Sequence, residues 1–268
     1  MTQDEAVRRH HIQFSGTGST PMVLAHGFGC DQQMWRFITP AFEHSHRLVL
    51  FDHLGCGRSD LGAYDEQRHA SLTGYAQDVV DLMDALDLRD VVFVGHSVSA
   101  MIGVLASIQR PERFARLVLI GPSPRYLNDP PAYHGGFEPE DIEGLSQMMD
   151  RNMVGWADYL SLAVAGGQEH SVQAEELKAS FCASDPDILK RFAAATFLAD
   201  NRTDLALVTV PSLVMQIERD AIAPLAVGKY CAEQLAGSTL VVLPTTGHCP
   251  HLTHPRETIA AMREYLVA

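Results

Sequence analysis

Long apolar runs are missing from this sequence of 268 residues, and no stretch of it is long enough to span a bilayer. The first residues, Met1 to His11, are mostly polar and charged, so they contain no apolar signal core. We therefore expect a cytoplasmic protein that does not work in a membrane.

Cysteine and basic residues are also scarce. The five cysteines are scattered and form no pair with metal-ligand spacing, so we expect free thiols in a reducing compartment and no metal centre. Lys and Arg number 20 against 33 Asp and Glu, which gives a formal net charge of −13. That balance argues against nucleic acid and anionic membrane surfaces as partners.

What remains is an ordinary globular composition, 46% hydrophobic, on a chain long enough for one large core. Short apolar runs alternate with helical patterns along the first 120 residues. Such alternation predicts an α/β fold: a mostly parallel central sheet with helices on both faces. The predicted strands of this part lie at 11–14, 21–25, 47–51, 91–94 and 114–120, and the predicted helices at 35–43, 72–86 and 98–107.

A serine on a very short strand-to-helix connection is the central feature of the sequence. The buried strand 91–94 is followed by Gly95, His96 and Ser97, and a helical pattern begins at Val98. This is the arrangement of a nucleophile elbow, although Ser99 stands where the general motif has glycine. The turn would expose the Ser97 hydroxyl and place the Val98 N–H at a helix N-terminus, where it could stabilise an oxyanion.

A second donor is expected from the loop at 26–29, His-Gly-Phe-Gly, which directly follows a strand. Such a loop can turn its backbone N–H groups toward a ligand, and Phe28 N–H is the predicted donor. His26 is expected to hold this loop, and His96 to support the elbow. Asp52, which begins another glycine-rich loop, is interpreted as structural.

The alternation of strands and helices breaks after residue 121 and resumes near residue 210. Four helical segments in between predict a cap inserted over the sheet, with a core at 1–122 and 200–268 and a cap at 123–199. Large apolar side chains of the cap pack internally or line a pocket beside Ser97. The residues predicted to line that pocket are Phe28, Trp156, Tyr159, Leu160 and Phe197.

Two partners for Ser97 follow the cap. Asp220 lies in the loop after the strand at 210–216, and His248 lies in the loop after the strand at 239–243. The order Ser, Asp, His is that of a hydrolase triad on this kind of fold. His248 would take the serine proton and Asp220 would orient the imidazole, with Glu218 as the rival acid. His251 and His254 follow closely, but without a nearby acidic residue they are a weak metal signal.

Several segments together resemble one branch of the α/β hydrolases, which contains the bacterial stress-pathway regulator RsbQ and the plant karrikin and strigolactone receptors. These segments are 26–32, 95–101, 121–128, 152–156 and 247–251. The resemblance implies the α/β-hydrolase fold, the triad Ser97, Asp220 and His248, and the oxyanion donors Phe28 and Val98. Trp156 and Phe197 match aromatic pocket positions of the branch. Leu160 replaces a phenylalanine that the branch usually carries, which implies a wider or reshaped pocket.

Two functions from different classes follow. The first is a serine hydrolase of small apolar esters or lactones, which needs no cofactor. The second is a ligand-sensing signalling regulator with slow turnover that engages a protein partner such as a PAS-domain phosphatase. A haloperoxidase-like or carbon–carbon bond hydrolase is a third, weaker option. Dehalogenases and epoxide hydrolases of this fold are disfavoured because their nucleophile is an aspartate.

Overall fold

The computed structural model describes residues 1–167 and 171–267. Within them, seven strands form one sheet in the order β1-β3-β2-β4-β5-β6-β7. Only β1 is antiparallel to its neighbour among these strands; the other pairs are parallel. The strands are β1 (Gln13–Ser15), β2 (Thr20–Ala25), β3 (His46–Phe51), β4 (Val91–His96), β5 (Phe114–Ile120), β6 (Ser212–Arg219) and β7 (Thr239–Thr246).

Helices cover the sheet on both faces, and the predicted α/β architecture is therefore confirmed. The sheet's two faces belong to separate apolar clusters: Val23 and Ala25 of β2 lie in one, and Met22 and Leu24 in the other. This follows from the two-residue period of a strand, because successive side chains point to opposite faces of the sheet. The strand is apolar throughout because both faces are covered. The helices are α1 (Gln3–Arg9), α2 (Leu72–Ala85), α3 (Val98–Gln109), α4 (Pro139–Arg151), α5 (Met153–Val164), α6 (Val172–Ala183), α7 (Pro186–Phe197), α8 (Leu225–Gln234), α9 (Pro250–Thr253) and α10 (Pro255–Val267).

The prediction of a helix over 35–43 is wrong. Two single 3₁₀ turns stand there instead, at Gln32–Trp35 and Thr39–Ala41. Pro40 explains the difference, because it has no N–H to donate and disfavours the helical conformation in the residue before it. The helix α1 lies in a stretch where the sequence pattern predicted no structure.

The interpretation of Asp52 as structural agrees with its contacts. Its carboxylate accepts backbone N–H groups from Gln32, at 2.9 Å, and Arg58, at 2.8 Å. The first bond ties the loop after β3 to the segment after β2, and the second holds that loop together. No helix of the described residues is both long and apolar enough to cross a membrane.

Helices α4 to α7 lie between β5 and β6 in the chain, as the predicted cap requires. The predicted cap range includes residues 168–170, which lie outside the described residues, and the division into two domains stays a prediction. Polar contacts tie these helices to the sheet half: Arg36 forms two bonds to Glu176, at 2.5 and 2.6 Å, and the Ser180 hydroxyl donates to Gly29 O at 2.8 Å. The cavity beside Ser97 has walls from both parts, since Phe28 of the loop after β2 and Leu160 of α5 line it.

Candidate active site

Ser97 occupies the sharp turn between β4 and α3. Its φ of 57° and ψ of −121° lie in a region that L residues rarely adopt. Gly95 makes the turn possible, since a Cβ there would lie 2.3 Å from the carbonyl oxygen of Ser99. The strain and the close packing together hold one hydroxyl at the carboxyl end of the sheet.

His248 and Asp220 converge on this hydroxyl. Ser97 Oγ lies 2.7 Å from His248 Nε2, and His248 Nδ1 lies 2.7 Å from Asp220 Oδ2. A carboxylate can only accept, so His248 donates from Nδ1 and its Nε2 accepts the serine proton. The side chains of His248 and Asp220 are almost completely buried, which keeps this relay away from bulk water.

Backbone contacts fix the acid and the base. Asp220 Oδ1 accepts the N–H groups of Ile222, at 2.8 Å, and Ala223, at 3.1 Å. The His248 N–H donates to Val164 O of α5 at 2.7 Å. Glu218, the rival acid in the sequence, is exposed at the end of β6. The structure thus brings together Ser97, His248 and Asp220.

The two predicted oxyanion donors flank the serine. Val98 is the first residue of α3, and Phe28 lies in the loop after β2. In the described part of the chain, neither backbone N–H donates to another protein group. The loop needs glycine on both sides of Phe28: a Cβ on Gly27 would lie 2.4 Å from His96 Nδ1, and Gly29 has a φ of +66°. The role of the two N–H groups as oxyanion donors stays a prediction.

A small cavity of about 30 Å³ lies beside Ser97 and His248. Its walls include three of the predicted pocket residues: Phe28, Leu160 and Phe197. Most of the remaining wall is apolar. The additional lining residues, which sequence reasoning did not assign to the pocket, include Cys30, Tyr126, Val164, Leu177, Phe181, Thr196, Ile222 and Cys249.

The other two predicted pocket residues lie elsewhere. Trp156 lines a neighbouring cavity of about 110 Å³ within the cap, and its ring meets Phe28 edge-on at 6.2 Å between centroids. Tyr159 is 58% exposed and lies outside the lining of both cavities, so the structure contradicts its predicted place. Successive helical residues point about 100° apart, and Leu160 takes the inward direction on α5.

Tyr126 is the polar residue of this site that sequence reasoning missed. Its hydroxyl lies 3.4 Å from Ser97 Oγ. Because the Ser97 proton points to His248, Tyr126 is the donor of this pair. Burial raises the pKa of Tyr126 to about 12, so the phenol stays protonated at neutral pH. The only sequence signal was its place in the 121–128 segment, just after β5.

His96, which was expected to support the elbow, links the end of β4 to the loop that carries His248. Its Nε2–H donates to the carbonyl oxygen of His248 at 2.9 Å, and burial holds its pKa well below the usual value. His96, Cys249 and His251 are the only group of metal-ligand side chains that comes together among the described residues, within 4.8 Å. His96 Nε2, which faces the Cys249 sulfur at 3.7 Å, already has its carbonyl partner. We therefore assign no metal here.

Comparison with known proteins agrees with this architecture. The alpha/beta hydrolase family profile matches residues 22–261. The karrikin insensitive 2 receptor IA of Petunia hybrida is 38% identical over 95% of this chain and 93% of its own. The strigolactone esterase D14 of Arabidopsis thaliana is 38% identical over 99% of both chains.

A solved structure is also very similar. A hydrolase from Oleispira antarctica is 40% identical, and its superposition covers 100% of this chain and 98% of that one with a TM-score of 0.98. Profile, sequences and structure agree over nearly the whole length, cap helices included. The chain therefore belongs to the alpha/beta hydrolase family, within the branch of the karrikin receptor and strigolactone esterase sequences.

Proposed function

We propose that this protein is a serine hydrolase that cleaves small, mostly apolar esters or lactones through an acyl-enzyme. The observation that carries the proposal is the continuous hydrogen-bonded path from Ser97 Oγ through His248 to Asp220, with 2.7 Å at each step. A hydroxyl is a weak nucleophile at neutral pH, and a hydrogen-bonded neutral imidazole is the standard means of activating one.

In the first half-reaction, Ser97 Oγ bonds to the carbonyl carbon while His248 Nε2 takes its proton. The N–H groups of Phe28 and Val98 stabilise the oxyanion, and Asp220 stabilises the imidazolium. Collapse breaks the bond to the alcohol oxygen, which leaves with the proton from His248. In a lactone that alcohol stays attached to the acyl chain.

In the second half-reaction, water takes the place of the alcohol. The water gives a proton to His248 as its oxygen bonds to the acyl carbon. Collapse then breaks the bond between the acyl carbon and Ser97 Oγ, and Ser97 Oγ regains a proton from His248. Tyr126, whose hydroxyl reaches Ser97 Oγ at 3.4 Å, is placed to donate to an oxygen of the bound substrate. The apolar walls support the proposed substrate class: a small acyl group among apolar side chains, with a second acceptor near the ester.

The experiment is turnover of a short-chain p-nitrophenyl ester, together with labelling by a fluorophosphonate, which bonds to an activated serine as fluoride leaves. We expect Ser97→Ala to abolish both, because single triad substitutions cost up to about 10⁶-fold in kcat in well-studied serine hydrolases. Persistent labelling of the Ser97→Ala protein would show that another residue is the nucleophile.

A second candidate is a signalling regulator that binds a small hydrophobic ligand, turns it over slowly and engages a partner such as a PAS-domain phosphatase. The relatives named as receptors, at 38% identity, favour it. It predicts a rise in Tm with ligand and capture of a partner from cell extract that depends on intact Ser97. Rapid turnover with no such partner favours the first candidate.

We also propose that the protein works in the cytoplasm. All five cysteines are free thiols in the structure, which suits a reducing compartment. Fractionation of the source cells, followed by detection of the protein in each fraction, tests this location.

A further inference from the structure

Three buried polar side chains close a ring of hydrogen bonds behind the elbow. They are His26, His53 and Ser99, each at most 1% exposed. The His53 N–H donates to His26 Nε2 at 3.1 Å, and His53 Nε2 lies 2.7 Å from Ser99 Oγ. The Ser99 hydroxyl donates to the carbonyl oxygen of His26, which completes the ring.

The direction of every bond is determined. A carbonyl oxygen only accepts, so the single hydroxyl proton of Ser99 points to His26 O. Ser99 Oγ must then accept from Nε2–H of His53. Since His26 Nε2 accepts the His53 N–H, the His26 proton sits on Nδ1 and donates to Gly27 O at 2.8 Å. Both imidazoles are neutral in this arrangement, and their burial lowers both pKa values.

The ring joins the two segments that carry the candidate oxyanion donors. Ser99 directly follows Val98 in the first turn of α3, and His26 lies two residues before Phe28 in the loop after β2. His53, from the loop after β3, bridges them. The separation of the Phe28 and Val98 N–H groups is thus set through hydrogen bonds as well as through packing.

Ser99 also departs from the general elbow motif, which has glycine at this position. Close packing explains only the small size of the residue, because a Cβ on Gly95 would lie 2.3 Å from the Ser99 carbonyl oxygen. Glycine would satisfy that packing equally well. The hydroxyl instead both donates and accepts within the ring, which gives it a use that glycine cannot supply.

We propose that Ser99 and His53 are positioning residues, which hold the Phe28 N–H at the distance from the Val98 N–H that the oxyanion needs. This inference depends on the proposed serine-hydrolase function. Its consequence is selective: the transition state is stabilised less when the ring is broken, while ground-state binding of the ester in the apolar cavity is unchanged.

The test measures kcat and KM for a p-nitrophenyl ester, and the inhibition constant of phenylboronic acid, whose tetrahedral adduct places an oxygen in the oxyanion site. We expect Ser99→Ala and His53→Leu to lower kcat about 10- to 100-fold, less than the loss of a whole donor. KM should stay within about twofold and the boronic acid should bind more weakly in parallel, because only tetrahedral species use the two N–H groups.

Two variants separate positioning from folding. His53→Gln keeps an amide N–H near the position of Nε2 and should restore most of kcat. Ser107→Ala is the matched control, because Ser107 is a buried serine of the same helix whose hydroxyl donates only to Val104 O at 2.8 Å. It should leave kcat unchanged.

An unchanged kcat in Ser99→Ala and His53→Leu, or a rise in KM alone, would overturn the inference while Ser97→Ala remains inactive. Turnover by Ser97→Ala would instead overturn the proposed function. If the alanine and leucine variants fail to fold, Ser99→Gly decides, since glycine is the residue that the general elbow motif carries there, although it removes the Cβ together with the hydroxyl. We expect it to lose kcat like Ser99→Ala, and a wild-type kcat would refute the ring.

Discussion

The sheet half and the cap half of this molecule are built differently. All six residues of β4 are buried, and so are most residues of α3, so Ser97 is fixed from both sides. In α4 of the cap only Ile142 and Met149 are buried. The cap meets the sheet half through apolar contacts such as Trp156 with Phe28 and through polar contacts such as Arg36 with Glu176.

This difference separates two tasks. Atoms that must be placed to within tenths of an ångström belong to the sheet half, where packing allows few alternatives. The shape of the cavity depends on cap side chains such as Leu160 and Phe197, which can change without moving the triad. Substitutions in the two halves should therefore have different signatures: lost chemistry in one, altered substrate size in the other.

The largest effect is expected from Asp220→Asn, which tests the sheet half. The amide oxygen can keep the two backbone bonds of Oδ1, but its NH₂ then faces His248 Nδ1 and forces the proton to Nε2. That tautomer cannot accept the serine proton, and kcat should fall about 10⁴-fold with little change in stability. The measurement is kcat for the p-nitrophenyl ester, with circular dichroism to verify folding.

Glu218→Gln serves as the control for that substitution, since Glu218 is exposed on the same strand end. We expect it to retain wild-type kcat. Equal losses in the two variants would mean that Asp220 has no special role in the relay.

The sequence predicted the strands of the sheet half and the four helices of the cap well, but not which cap side chains face the pocket, for a physical reason. A buried strand such as β4 can be predicted from its local run of apolar residues. Ser97, Asp220 and His248 could be grouped because each follows a predicted parallel strand, and the loops after such strands lie at one edge of the sheet. Helix α5 is apolar on most of its sides, so no face of it could be chosen from periodicity. Tyr159 was misplaced for that reason, and Tyr126 was missed because it lies in an irregular loop.

The second prediction concerns the loss of stability in acid. We expect this loss to come from buried histidines of the sheet half. Burial lowers the pKa of His26, His53 and His96, and that of His251 to about 3. Such groups bind protons more readily in the unfolded chain than in the folded one. Their contribution to the free energy of unfolding is therefore fully present above pH 6.5 and is lost as the pH falls below that value. Each histidine that stays neutral contributes a slope of about 1.4 kcal/mol per pH unit.

Urea unfolding between pH 7.5 and 5 measures this slope. His251→Phe should flatten it, because a phenylalanine can keep the tilted ring contact with Trp35, at 4.6 Å between centroids, without a titrating group. His134→Gln, an exposed position in the cap half, should leave it unchanged. A slope that is equal in all three proteins would show that His251 does not contribute.

The smallest effect is expected from Leu160→Phe, which tests the cap half. Leu160 lines both the cavity beside Ser97 and the neighbouring cavity within the cap, so a larger ring there reduces the room for the acyl chain. We expect kcat/KM for the longest accepted ester to fall about 10-fold, as for one or two methylenes rejected by an apolar pocket. The acetyl ester should stay within about twofold, because the triad and the oxyanion donors do not move.

Tyr159→Phe, on the exposed side of the same helix, should leave the whole chain-length profile unchanged. If Leu160→Phe instead lowers kcat for every ester alike, the cap contributes to the chemistry and the division of tasks between the two halves fails.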